Sequence, residues 1–144
     1  MVRHDGGFVL VMVMVLLVAG AMLAAAVAAS AAIETAMAGQ SVETAAAFSA
    51  AEAGVATALR SGGWSAGPWT DTGTLPGGAA WEAAVTLAAA AIAGDGTTPE
   101  WHFEIVSTGS AGRATTTLVQ GFVVRGALPG EPVLTYWRQE GPAP

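Results

Sequence analysis

Twenty-eight consecutive residues, Gly6 through Ile33, carry no charge. The strongly apolar part opens at Phe8 and runs through Val9-Leu10-Val11-Met12-Val13-Met14-Val15-Leu16-Leu17-Val18. It then passes into an Ala-rich stretch ending near Ala32. At ~1.5 Å per residue, the segment from Phe8 to Ile33 makes roughly 39 Å of helix. A bilayer core of about 30 Å takes ~20 residues, so the segment can span with some tilt. In lipid, every backbone amide has to be satisfied within the segment, which leaves a helix as the form despite the Val content. Arg3 and His4 precede it, so the amino end is expected on the cytoplasmic side. Two other readings fit the same residues. One is a cleaved secretory signal, for which Ala29-Ser30-Ala31 offers a small-residue site, although the apolar run exceeds the usual 7–15 residues. The other is a plain signal anchor carrying an unrelated exterior domain.

The helical pattern does not stop where the apolar run does. No Pro occurs before Pro68, and no turn cluster before Ser61-Gly62-Gly63. Residues 33–60 are rich in Ala, Glu and Met, all good helix formers. Ile33, Met37, Thr44, Phe48, Ala51, Val55 and Leu59 recur at helical spacings and predict one mostly apolar stripe. Glu34 and Glu52 lie five whole turns apart beside that stripe, with Glu43 halfway around. The expectation is a single helix over 8–60, with 8–33 transmembrane and 34–60 amphipathic. Gly20 and Gly39 are its weak points, and a Gly/Pro-rich loop is predicted over 61–79.

These residues carry a resemblance. A short polar leader ending in Gly6-Gly7, followed by Phe8 opening a charge-free helix, resembles a type IV prepilin. The run Ile33-Glu34-Thr35-Ala36-Met37-Ala38-Gly39-Gln40, followed by Ala46-Ala47-Phe48-Ser49-Ala50-Ala51-Glu52-Ala53-Gly54-Val55, is similar to the amino-terminal region of PilX-type minor pilins. The resemblance covers roughly residues 3–60. It implies a leader over 1–7, cleavage between Gly7 and Phe8 by a membrane prepilin peptidase, and methylation of the new Phe8 amine. Most pilins carry Glu at the fifth mature position, where its carboxylate pairs with a neighbouring subunit's amino terminus. Here that position is Met12, which cannot neutralise a buried amine. Members lacking this Glu include PilX-like and GspK-like subunits, linked to filament tips and initiation. The resemblance thus implies an initiating or tip role, in which no subunit above requires the counter-charge. The competing reading of Met12 is one more apolar residue in a span.

Beyond the loop the period changes to two. Trp81, Ala83, Val85 and Leu87 alternate with Glu82, Ala84 and Thr86, and Trp101, Phe103 and Ile105 alternate with Glu100, His102 and Glu104. Further strands are predicted within 113–125 and 133–138. The Gly/Ser-rich run 107–113 reads as a hairpin turn, and Asp95-Gly96 and Pro129-Gly130 as two more. Ala88–Ala93 fits the end of a strand, a helical turn or a loop. Strands following one long helix predict an α+β fold, with an antiparallel sheet over 80–144 packed on the helix's second half. This is also the pilin architecture.

The chemistry-bearing residues are sparse. Charged residues are only 11% of the chain, against about 25% in a typical soluble domain, and the net charge is −6. An acidic chain without Lys and without a basic patch argues against nucleic acid as principal partner. With no Cys there is no disulfide scaffold, thiolate metal site or Cys nucleophile. Gly63-Trp64-Ser65-Ala66-Gly67 matches the pattern of a hydrolase nucleophile elbow. That elbow needs a strand before and a helix after, whereas here a helix precedes and Pro68 follows. Glu100, His102 and Glu104 share one strand face and offer cation donors, but such alternation equally describes a solvated sheet face. Trp64 and Trp69, in the predicted loop, either stack on a ligand or fold back to seal the core. Neither an enzyme, a cofactor nor a metal site is expected.

The leading expectation is a minor pilin or pseudopilin. It would sit as a single span in the inner membrane before assembly, then in an extracellular pilus or periplasmic pseudopilus. Other pilin subunits, the pilus assembly platform and the prepilin peptidase would be its partners. Glu34, Glu43, Glu52 and Met12 would be its subunit contacts. The alternative is a signal-anchored or secreted exterior binding module that grips a ligand with Trp64 and Trp69.

Overall fold

The computed structural model describes residues 6–140, with side chains from Val9 onward. Helix α1, Gly6–Ser61, runs without interruption through 56 residues, as the Ala-, Met- and Glu-rich composition predicts. Its last turn carries Arg60, a cation suited to the exposed carbonyl ends. A 3-10 turn at Gly63–Ala66 follows. Five strands complete the chain: β1 Trp69–Thr74, β2 Ala80–Ile92, β3 Pro99–Ala111, β4 Ala114–Arg125 and β5 Val133–Glu140. They form one antiparallel sheet in the order β1-β2-β3-β4-β5, a simple meander. The fold is α+β, a long apolar amino-terminal helix packed against a five-stranded antiparallel sheet. The chain divides into two compact units, one ending at Gly39 and the other beginning at Gln40.

In the second unit, the alternation in β2, β3 and β4 sorts side chains to two faces. Val85, Ile105 and Gln120 form one cross-strand row on the helix-facing side, and Ala83, Ser107 and Leu118 form the next. All six are buried. Against them lie Ala47, Ala50, Ala51 and Ala58, also buried, with Phe48, Val55 and Leu59 half-buried at the flanks. The helical stripe predicted around Thr44, Phe48 and Val55 is thus rotated towards the small residues. Thr44, Ile33 and Met37 are exposed. The cause is close approach. A Cβ on Gly109 of β3 would overlap the Ala47 carbonyl oxygen and sit 2.5 Å from the Ala51 amide nitrogen. On the helix side, a Cβ on Gly54 would collide with the Ser107 hydroxyl. That hydroxyl donates to the Ala51 carbonyl at 2.8 Å, so this buried polar side chain is satisfied within the seam.

Two sequence expectations need correction, and one left open is decided. The stretch 61–79 is not all loop: it contains β1, whose polar sequence Trp-Thr-Asp-Thr-Gly-Thr lacks the apolar alternation that marks a strand. Pairing with β2 makes this strand, Trp69 opposite Val85 and Thr74 opposite Ala80. The hairpin turn is not spread over 107–113, because β3 continues to Ala111 and only Gly112-Arg113 turn. Ala88–Ile92 complete β2, held by pairing with Pro99–His102.

The seam generates a first test. Gly109→Val puts three carbons against helix backbone that cannot rotate away, and overpacking of this kind costs about 1–3 kcal/mol or more. Chemical unfolding followed by tryptophan fluorescence should show a loss at the top of that range. Gly20→Ala, where an added Cβ meets nothing within 4 Å and alanine is the better helix former, should cause no loss.

Candidate functional site

The largest unusual surface is the first part of α1. Every described side chain from Val9 to Val42 is exposed, and the most apolar 18-residue window is 0% buried. Leu16 is 69% exposed, Met22 70% and Met12 53%. A water-soluble chain rarely shows contiguous apolar patches beyond a few hundred Å². With its amides satisfied internally, α1 is long and apolar enough to cross a membrane. Met12 lies among Val11, Val13 and Met14, so this part of the helix offers a thioether and no carboxylate. Of the processing site, residues 1–5 of the leader lie outside the described residues, as does the side chain of Phe8. Only the backbone of Gly7 and Phe8 is described, and it is helical.

The three helical glutamates have different surroundings. Glu34 and Glu52 are exposed. Glu43 is half-buried, and its Oε2 accepts the backbone N–H of Arg113 at 3.1 Å. This carboxylate clamps the helix to the β3–β4 turn, so Glu43 is engaged within its own chain.

On the face of the sheet turned away from the helix, the three candidate metal donors are drawn into other pairs. Glu100 binds the Arg125 guanidinium at 2.7 Å and lies 3.7 Å from His102 Nε2. Glu104 accepts the Tyr136 hydroxyl at 2.6 Å, the phenol ring crossing over Gly121 to reach it. Among the described residues no cluster of three metal-ligating side chains forms. Ser65 of the elbow-like motif donates to the Gly62 carbonyl at 2.8 Å within a 3-10 turn, not at the tip of a strand-to-helix turn.

The two loop tryptophans are not displayed to solvent. Trp64 is 3% exposed and packs its ring centroid 5.0 Å from Phe103 and 4.9 Å from Phe122, which themselves stack at 5.1 Å. Trp69, on β1, is half-buried against the same cluster. Beside it is a cavity of about 430 Å³ walled by residues 64–68, Leu87, Trp101, Phe103 and Leu128. Trp101 donates its indole N–H to the Gly126 carbonyl at 3.1 Å. The indole N–H of Trp64 is buried and has no acceptor. Sequence reasoning singled out Trp64 but not Leu87 or Leu128, because apolar residues far apart in the chain give no sign that they will share a wall. Comparison with models of known protein families, with curated proteins and with solved structures finds no match.

Tyr136, the only tyrosine, reports on the outer face. Its hydrogen bond to Glu104 holds the phenol above its ordinary value of 10, with smaller contributions from desolvation and the Glu104 charge, opposed by Arg138. A raised acid stabilises the fold fully below pH 10, and that stability is lost as pH rises through the folded value. Phenolate absorbance should therefore titrate above 10, and Glu104→Gln should bring the midpoint back towards it.

Proposed function

We propose that this chain is a minor pilin or pseudopilin, a structural subunit that helps start or tip a type IV pilus or a related secretion pseudopilus. The observation that carries the reading is the division of labour along α1. One part is apolar and uncovered, and another is the tightly packed support of a sheet. An uncovered stem of this composition is stable in lipid or against sibling stems, and a polymer of such subunits supplies the second environment when the first is left. The same helix then serves as membrane anchor before assembly and as filament core afterwards, without refolding. Before assembly the chain would be a single inner-membrane span with its amino end in the cytoplasm. Afterwards it would lie in an extracellular pilus or a periplasmic pseudopilus.

The leader supports the reading. Gly7 places no side chain at the scissile bond, and a cut before Phe8 leaves the whole stem on the mature chain. Glu34 and Glu52, exposed on α1, are available to neighbouring subunits, although solvated charges of this kind contribute little, about 0–1 kcal/mol each. Other pilin subunits, the assembly platform and the prepilin peptidase are the partners this function requires. Activity as an enzyme is no part of it.

Mass spectrometry of the mature amino terminus tests the processing. The expected species begins at Phe8 and is one methyl group heavier than the unmodified chain. An end near Ala31–Ile33 would make the protein a secreted one, and an intact Met1 a plain anchor.

Met12 tests the position in the filament. A carboxylate at residue 12 restores the counter-charge that a shaft subunit carries, so Met12→Glu should move the protein from initiation into the shaft. The number of filaments per cell should fall, and incorporation along their length should rise. Unchanged counts and incorporation would leave Met12 an ordinary apolar residue.

A further inference from the structure

We propose that the free edge of β2, residues 86–92, takes strand β5 of a second copy of this chain, so that neighbouring copies continue one sheet. The proposal stands on the second unit and does not depend on the filament reading.

Two edges of the sheet are open. β1 stops pairing at Trp69, opposite Val85, whereas β2 runs on to Ile92 with β3 alone beside it. The uncovered stretch, Thr86-Leu87-Ala88-Ala89-Ala90-Ala91-Ile92, has no charge and no Pro, the residues that ordinarily guard an edge against pairing. A shift of register between Leu87 and Ala89 is its one irregularity. On the opposite side β5 pairs with β4 alone, and all eight of its residues are exposed. Of the large apolar side chains that the described strands expose, all but Val106 lie on these two edges. Leu87 and Ile92 are on β2, and Val133, Leu134, Tyr136 and Trp137 are on β5.

Direction selects how two copies meet. In a meander of five antiparallel strands, β5 runs parallel to β1 and so antiparallel to β2. A copy displaced along the sheet without being turned round offers β5 to β2 in the antiparallel sense, with both helices on one face. Two β5 strands paired antiparallel with each other would instead reverse one helix. Copies inserted in one bilayer share a direction, which favours the first arrangement.

Side chains fix the register. Trp137 lies on the helix-facing side, where it meets Phe48, and Ala90 lies on that side too, paired with Trp101. Trp137 opposite Ala90 brings its exposed indole beside Leu87 and sets Arg138 opposite Ala89 on the other face. Ala89 pairs with His102, so Glu100 and Glu104 flank it on β3, with only methyl groups between. The arriving guanidinium meets Glu104, whose partner within its own chain is a neutral phenol. One strand edge is a small contact beside the 1,200–2,000 Å² or so of a stable interface. Stems held in one bilayer concentrate and align the copies, so that a small contact suffices.

The test uses the full chain in liposomes with no other protein present. The chain has no Cys, so introduced thiols report alone. Ala90→Cys and Gln139→Cys, both at exposed positions, are placed in separately tagged copies. In this register they are diagonal neighbours, roughly 7–8 Å apart and within reach of a short bismaleimide. The mixed product should form in several-fold excess over either like-with-like product. Ala89→Arg in the Ala90→Cys copy sets a like charge opposite Arg138 and should cut the mixed product several-fold. Arg138→Glu in the other copy should restore it. An excess of the Gln139→Cys product with itself means that β5 pairs with β5, and equal yields of all products mean random collision. Either overturns the proposal, as does a mixed product indifferent to Ala89→Arg. Since neither filaments nor the mature amino terminus is read, the filament reading stands or falls separately.

Discussion

The second unit depends on how near a helix can come to a sheet. Ala47, Ala51 and Gly54 on one side, with Gly109 and Ser107 on the other, remove nearly all side-chain bulk from the line of contact. Backbone then lies almost on backbone, and a serine hydroxyl can bridge directly to a helical carbonyl. Larger side chains are moved to the margin, where Trp64, Phe103 and Phe122 form the aromatic cluster and Phe48 meets Trp137 edge-on at 6.5 Å. Small residues thus set the distance, and aromatic residues fill the space left around the contact.

What the sequence made legible follows from periodicity. A charge-free apolar run with no Pro, and no Gly pair after Gly7, could only be a helix, and the alternation at Trp81–Leu87 and Trp101–Ile105 could only be half-buried strands. The buried face of the helix was harder to find, because alanine has high helix propensity everywhere and gives no sign of facing inward. A stripe drawn through the larger residues therefore missed Ala47, Ala50 and Ala58. The polar strand β1 was missed for the opposite reason: it owes its form to pairing along β2, a nonlocal cause that no window of six residues contains. The cavity was out of reach too, since it joins Leu87, Trp101 and Leu128 from three parts of the chain.

The few charges are spent locally. Glu43 ties the helix to a turn, Glu100 pairs with Arg125, Glu104 receives Tyr136, and Asp95 accepts from the amides of Thr97 and Thr98 in the β2–β3 turn. Apart from Glu43 these interactions lie at strand ends, in turns and on the outer face, and the apolar part of α1 has none. A low charge content thus fits a chain whose polar groups secure turns while its long apolar stem is covered by something else. The proposed filament subunit is one chain that requires such a division.

The meander order also bears on how the second unit is made. Each strand pairs only with its neighbours in sequence, so loops to be closed are short and the search is mostly local. Residues 47–58, however, leave the ribosome before any strand that will cover them. Had their inner face been built of leucine and phenylalanine, it would have been a sticky surface awaiting its cover. Methyl groups and bare backbone give that waiting helix little for a stray chain to adhere to, and the choice of alanine protects the nascent protein as much as it shapes the finished one.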